Sequence, residues 1–168
     1  MRNKTNVIRQ ANKILTQYQP DRTKNSLETN VMAIAEKLNI TVVPYAFSED
    51  ISGVFFRKDN RLFLGVNNDH HEHRQRFTIA HEIGHYVLHS LDTIHYDIVD
   101  QEKVFYRAKD ISSVEEREAN IFAAELLMPE ETVEELIAKD ITSINLLAST
   151  FNVSEDAMRY RLINLGYL

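Results

Sequence analysis

The chain has 168 residues, with 19 Lys and Arg against 25 Asp and Glu, and it contains no cysteine. That length suits one compact domain that can bury a substantial core. Without cysteine the chain can form no disulfide, no thiolate zinc site, no iron–sulfur cluster and no cysteine nucleophile. Any bound metal must therefore be held by His, Asp or Glu. The net charge of −6 also argues against a protein whose main partner is a nucleic acid backbone.

The distribution of charge and hydropathy bears on where the protein works. Residues 1–24 hold six basic groups against Asp21, whereas the rest of the chain is acidic. The N-terminal segment lacks the apolar stretch of a signal peptide, and no segment approaches the roughly 18 apolar residues of a membrane span. We therefore expect a cytoplasmic protein with no membrane partner.

The spacing of apolar residues predicts helices around a small sheet. Helical periodicity indicates seven helices, at about 7–18, 26–38, 70–90, 115–128, 130–138, 142–151 and 155–165. The third of these begins with Asp69 and Glu72, which form a D-x-x-E capping pattern. Runs rich in β-branched and aromatic residues indicate strands at 41–45, 53–56, 62–66 and 104–106. Pro44 suits an edge strand. Helices, a small sheet and further helices in this order indicate the α+β class.

The strongest chemical signal is the run His81-Glu82-Ile83-Gly84-His85, an H-E-x-x-H pattern inside a predicted helix. Residues four apart lie one turn above each other, so both imidazoles can reach one metal ion. Glu82 stands beside them, where its carboxylate can take a proton from a metal-bound water. Gly84 in mid-helix costs about 1 kcal/mol relative to Ala, which indicates that a neighbouring element passes close to it.

A catalytic zinc site usually has three protein ligands and one open position, so the two histidines need a further ligand. The metzincin extension of the motif is absent, and the peptide-deformylase arrangement needs a cysteine. A carboxylate from the helix at 115–128 is what remains. Glu116 is favoured because Asn120 lies one turn away from it and could hydrogen-bond a ligating histidine. Glu115 and Glu118 are the alternative ligands.

His89 and the run from Asp69 to His73 also contain residue types that bind metals. A structural role is favoured for both. His89 continues the stripe of His81 and His85 by one turn, but a third ligand on the same straight helix would lie too far along. The run from Asp69 to His73 stands at a predicted helix start. Capping accounts there for the acidic residues, and solvated imidazoles account for the rest.

Two long motifs surround the candidate ligands. Residues 76–86 read R-F-T-I-A-H-E-I-G-H-Y, and residues 116–129 read E-x-x-A-N-x-F-A-A-E-L-L-M-P. Both resemble the signatures of the ImmA/IrrE family of metallopeptidases, in the family's order and at its usual separation. The resemblance implies a zincin-like domain of the gluzincin type, with a small mixed or antiparallel sheet, an active-site helix and a C-terminal helical tail.

The same resemblance implies a set of functional residues and a biological role. It implies Zn²⁺ bound by His81, His85 and Glu116, with Glu82 as the catalytic carboxylate. It also implies a regulatory protease that cleaves a helix-turn-helix repressor of a phage, an integrative element or a stress response. Some relatives are instead antitoxin-like, so an anti-repressor or a toxin is a further candidate partner.

Peptide hydrolysis needs a donor to the developing oxyanion besides the metal, and the chain offers four candidates. They are Tyr106, His95, Tyr96 and Tyr86. An extended substrate could also pair with a free sheet edge through main-chain hydrogen bonds, and the hairpin at 53–66 is our candidate for that edge.

The chain divides into a metallopeptidase domain, residues 1–139, and a small helix-turn-helix-like tail, residues 140–168, that we expect to pack on it. Ser154 is placed to cap the second helix of the tail. The tail has a net charge of −1, so DNA binding is not expected. The main alternative to a peptidase is a non-catalytic module that sequesters a partner protein through the same pocket.

Overall fold

A computed structural model describes residues 4–20, 26–89, 95–98 and 113–168 of the chain. The elements follow one another as α1 (Lys4–Tyr18), α2 (Val31–Lys37), β1 (Ile40–Tyr45), β2 (Ile51–Lys58), β3 (Arg61–Asn67), α3 (Glu72–Leu88), β4 (His95–Ile98), α4 (Ser113–Leu127), α5 (Glu130–Ile137), α6 (Ile144–Phe151) and α7 (Glu155–Leu165). This order confirms the predicted α+β class and is consistent with a zincin-like domain. None of the helices formed by these residues is long and apolar enough to cross a membrane.

The sheet is mixed, with the strand order β1-β3-β2-β4. Strand β1 runs parallel to β3, whereas β2 runs antiparallel to both β3 and β4. Pro44 lies in β1 at one edge of the sheet, the position where proline is tolerated best, as predicted. The prediction that the 53–66 hairpin offers a free edge was wrong, because β4 pairs with β2 and β3 lies inside the sheet.

The structure shows which residues cap helices α2 and α3, and in both the start differs from the predicted one. Helix α2 begins at Val31 instead of about residue 26, because the Asn30 side chain accepts from the Ala33 N–H and caps it there. Helix α3 has His71 as its N-cap, and the His71 ring accepts from the His73 N–H. The D-x-x-E capping pattern that starts at Asp69 is therefore not the cap of this helix. Both caps satisfy an amide that the first helical turn leaves without an intrahelical partner.

Helices α3 and α4 pack against each other at unusually short range. A Cβ atom added to Gly84 would lie 3.3 Å from the Ala119 Cα, 3.3 Å from the Ala119 carbonyl oxygen and 3.1 Å from the Phe122 ring. Backbone atoms yield less easily than a flexible side chain, so a larger residue at position 84 would push the two helices apart by a few tenths of an ångström, and glycine is favoured there. The close approach that the mid-helix glycine indicated is confirmed.

Arg76, in the first half of α3, holds three chain segments together. Its Nε donates to the Asn152 carbonyl at 3.0 Å, one Nη to Glu28 at 2.8 Å and the other Nη to the Thr29 carbonyl at 3.0 Å. Burial lowers the pKa of the guanidinium below its ordinary value, while Glu28 and Glu72 oppose that shift. The planar fork of arginine can serve three acceptors in this way, whereas the single ammonium of lysine cannot match its geometry.

A buried ion pair ties the C-terminal helices to α4. Arg161 of α7 donates to the Glu125 carboxylate, and its Nε donates to the Met128 carbonyl at 2.9 Å. Both side chains of the pair are almost completely buried. The predicted cap of α7 is confirmed, since the Ser154 hydroxyl accepts from the Ala157 N–H at 3.1 Å. The tail is thus held by a charged contact as well as by its apolar residues.

Replacing Arg161 by Met tests this pair. Arg161→Met keeps an unbranched stem but leaves the Glu125 carboxylate buried without the guanidinium, so we expect the free energy of unfolding to fall by about 3–5 kcal/mol. Arg159→Met, at an exposed position of the same helix, should change it by less than about 0.5 kcal/mol. The measurement is urea unfolding followed by far-UV circular dichroism. Equal unfolding midpoints for the two variants would contradict the importance of the pair.

Candidate metal centre

Helix α3 carries two histidines and a glutamate in one buried stretch. His81 and His85 are 3% and 0% exposed, and Glu82 is 0% exposed. A glutamate is almost never fully buried unless it is paired or bound. Three buried polar side chains within little more than one turn therefore mark a chemical site in an otherwise apolar helix contact.

Helix α4 brings a carboxylate to the two imidazoles. One Glu116 oxygen lies 3.5 Å from His81 Nε2, and the other lies 3.4 Å from His85 Nε2. The two Nε2 atoms are 3.0 Å apart. One potential ligand atom from each of His81, His85 and Glu116 lies within 4.8 Å of the others. These three residues, called the metal-type group below, are the set found among the described residues that could hold a metal ion.

These separations fit a metal ion. With Zn–N bonds of about 2.0–2.1 Å, two ligand atoms of a tetrahedral site are about 3.3 Å apart. The three observed separations, 3.0, 3.4 and 3.5 Å, lie around that value. The donor types fit as well, because two imidazoles and a carboxylate are a common ligand set for a catalytic divalent metal.

Asn120 orients one of the imidazoles. Its Oδ1 lies 3.0 Å from His81 Nδ1. An amide oxygen only accepts, so the proton of a neutral His81 sits on Nδ1 and its lone pair is on Nε2, toward Glu116 and His85. The sequence predicted this contact from the spacing of Glu116 and Asn120, and the structure brings the three residues together.

The other two glutamates proposed as alternative ligands lie elsewhere. Glu118 is buried, with its Oε2 3.2 Å from His89 Nε2. Glu115 is not part of the donor group that the described residues form. Sequence reasoning did not anticipate the contact between Glu118 and His89; the signal available for it was the continuation of the histidine stripe from residue 85 to residue 89.

The predicted oxyanion donors are only partly located. Tyr106 lies outside the described residues. His95 and Tyr96 belong to β4, which pairs with β2 and forms one edge of the described sheet. Tyr86 is half-buried and packs on the sheet, with its ring centroid 6.2 Å from that of Phe55.

The histidines around the start of α3 make structural contacts, in keeping with the structural role predicted for them. His71 caps the helix, His70 Nε2 lies 3.1 Å from the Glu49 carbonyl, and His73 Nε2 lies 3.2 Å from Asn152 Oδ1. Within the described residues this cluster forms no metal-type donor group of three.

A cavity of about 470 Å³ lies along α3 on the N-terminal side of His81. The Phe77 ring borders both, since its centroid is 6.1 Å from that of His81 and it also lines the cavity. The wall toward α4 and the tail is mainly apolar, and the wall at the start of α3 is polar. These walls are formed by Leu127, Met128, Val153 and Ala157 and by His71, His73 and Arg74, respectively. The cavity is thus a neighbour of the metal-type group.

Known proteins share this sequence pattern. Residues 35–163 match the model of the Peptidase_M78 family, described as an IrrE N-terminal-like domain. "Metallopeptidase ImmA" of Bacillus subtilis (strain 168) is 33% identical over 101 residues, which are 59% of this chain and 54% of that protein. "Radiation response metalloprotease IrrE" of Deinococcus radiodurans is 36% identical over 84 residues, which are 50% of this chain and 24% of that protein.

A phage protein is also similar. "Uncharacterized immunity region protein 2" of Bacillus phage phi105 is 30% identical over 105 residues, which are 61% of this chain and 60% of that protein. The match spans less than two thirds of the length of each of these relatives. A peptidase family together with the His-His-Glu group implies a metal cofactor. Because the family model covers residues 35–163, the chain belongs to the IrrE N-terminal-like family of metallopeptidases, as its two motifs predicted.

Proposed function

We propose that this protein is a zinc-dependent endopeptidase that cleaves a regulatory DNA-binding protein, a helix-turn-helix repressor of a phage, an integrative element or a stress response. One observation carries the proposal. Donor atoms of His81, His85 and Glu116 lie within 4.8 Å of one another, beside the buried carboxyl group of Glu82. We take the first three residues as zinc ligands and Glu82 as the catalytic carboxylate.

The chemistry is divided between the ion and the chain. His81, His85 and Glu116 would hold the ion, which would supply a bound water with a pKa of roughly 7 and polarisation of the scissile carbonyl. Glu82 accepts a proton from the attacking water and delivers it to the amine of the departing peptide. Asn120 holds His81 in the tautomer whose lone pair faces the site. The oxyanion donor stays a prediction among Tyr106, His95, Tyr96 and Tyr86.

Two features support an extended peptide as substrate. Strand β4 is an edge of the described sheet and can add a strand through main-chain hydrogen bonds. The cavity beyond Phe77 has apolar walls toward α4 and the tail, and it can take an apolar side chain of the same peptide. We place the substrate along this edge and this cavity, in place of the hairpin edge that the sequence suggested.

The charge of the surface favours a basic client. Residues 111–140 hold nine acidic groups against Arg117 and Lys139, a net charge of −7. Glu118 and Glu125 are buried, so much of the remaining charge is presented by α5. A basic DNA-binding protein would be attracted to this surface, whereas DNA would be repelled. The phage relative named for an immunity region is in keeping with a repressor as client.

Glu82→Gln separates chemistry from metal binding. Gln retains the shape of the side chain but cannot take a proton from water, so we expect cleavage to fall by at least about 10²–10⁴-fold while one zinc per chain remains bound. The measurements are metal content and cleavage of candidate helix-turn-helix repressors. Glu36→Gln makes the same change at an exposed position of α2 and should leave both unchanged. Wild type that binds and inhibits the repressor without cutting it would show a sequestering module instead.

Glu116→Ala tests the third ligand. Loss of a residue that only hydrogen-bonds a ligand typically weakens metal binding by about 10–100-fold. Loss of one of the three protein ligands themselves should weaken zinc binding by more than that. Glu115→Ala, one residue earlier in α4, should keep the affinity of the wild type. The measurement is zinc dissociation constants by competition with a chromophoric chelator. If Glu115→Ala loses zinc and Glu116→Ala retains it, the ligand assignment is overturned.

The acidic surface of α5 gives a prediction about client binding. Neutralising Glu131 and Glu135, both exposed, should raise KM for a basic repressor by about three- to tenfold with kcat unchanged, and the effect should shrink at high salt. The pair Glu155→Gln and Asp156→Asn changes the net charge equally on α7 and serves as the control. Equal changes in KM for the two double variants would show a general charge effect without a docking surface on α5.

A further inference from the structure

His89 and Glu118 form a buried chain of contacts that ends on a candidate metal ligand. His89 Nδ1 lies 3.1 Å from His85 Nδ1, and His89 Nε2 lies 3.2 Å from Glu118 Oε2. The His89 and Glu118 side chains are 9% and 5% exposed. These two contacts therefore connect the end of α3 to α4, on the side of the His85 ring opposite its Nε2 atom.

The end of helix α3 makes this contact possible. His89 is the C-cap residue, with extended backbone at φ −125° and ψ 156°, and its N–H donates to the His85 carbonyl at 2.8 Å. The ring of His89 thus lies beside that of His85, with a centroid separation of 5.2 Å, while its far nitrogen reaches α4. A histidine inside a continuing helix would not have this backbone freedom.

With both imidazoles neutral, the carboxylate at one end determines the direction of both hydrogen bonds. A carboxylate only accepts, so His89 Nε2–H donates to Glu118. A neutral imidazole carries one proton, so His89 Nδ1 is an acceptor and His85 Nδ1–H donates to it. The lone pair of His85 is then on Nε2, the atom that lies 3.4 Å from Glu116. Asn120 has the same effect on His81 from the other side.

We propose that His89 and Glu118 are positioning residues, which hold His85 in the tautomer and ring orientation that bind the metal. The inference rests on the proposed metal site but not on any particular substrate. A ligating histidine whose second nitrogen donates to a carboxylate is a common arrangement; here an intervening histidine extends it. Loss of such outer contacts typically costs about 10–100-fold in metal affinity.

Two variants of His89 distinguish positioning from simple space filling. His89→Leu removes both hydrogen bonds and should weaken zinc binding by about 10–100-fold. His89→Gln offers an amide oxygen to His85 and an amide N–H to Glu118, so its zinc affinity should stay within about threefold of wild type. Glu115→Gln, a neutralised glutamate of the same helix, is the control and should bind zinc as wild type does. All are measured on the full chain by chelator competition, with urea unfolding to verify the fold.

Imidazole nitrogen NMR on the metal-free protein gives a second readout. Long-range ¹H–¹⁵N spectra should show His85 protonated at Nδ1 and His89 protonated at Nε2. Equal losses of zinc affinity in His89→Leu and His89→Gln, or a proton on Nδ1 of His89, would overturn the proposal. If the wild type binds zinc but cleaves no repressor, the proposed activity fails, whereas these affinities and protonation states still test the positioning role.

Discussion

The distance between α3 and α4 is the constraint on which the rest of the site depends. At position 84 the helix backbones are so close that a single methyl group would meet the Ala119 backbone at 3.3 Å. Short side chains such as Asn120 can therefore reach His81 directly. The contacts of His81 and of His89 with α4 both cross this interface. A longer separation would leave imidazoles and carboxylates facing each other across water, where a fixed donor geometry is hard to maintain.

Local geometry explains what the sequence could predict. The pairing of His81 with His85 depends only on the pitch of one helix, and the choice of Glu116 over its neighbours depends on the spacing to Asn120 within another. The contact between His89 and Glu118 joins two helices, and the only hint of it along the chain was the continuation of the histidine stripe to residue 89. Strand β4 was missed because it is only four residues long, with the polar His95 and Asp97 among them, and it acquires strand geometry by pairing with β2.

Burial also changes the meaning of the acidic composition. Counted along the chain, the glutamates of α4 and α5 look like one block of negative charge. In the folded protein Glu118 faces His89, Glu125 faces Arg161 and Glu116 faces the imidazoles. Three of the four glutamates of α4 thus serve internal chemistry and packing, while those of α5 remain to meet a partner. One of the two arginines of the tail is likewise used internally, which leaves little basic surface there for a nucleic acid.

Arg76 has a consequence for the precision of the site. It precedes His81 and His85 by five and nine residues, so it projects about 140° and 180° away from them around the axis of α3. The three acceptors of its guanidinium grip one side of the helix, and the α4 contacts grip the other. A rotation of about 20° would move a side-chain tip, about 5–6 Å from the axis, by about 2 Å. Catalytic groups must be held to within about 0.5 Å of their productive positions, so a displacement of this size would disrupt the site. The Arg76 guanidinium thus resists rotation of α3 through contacts on the face opposite His81 and His85.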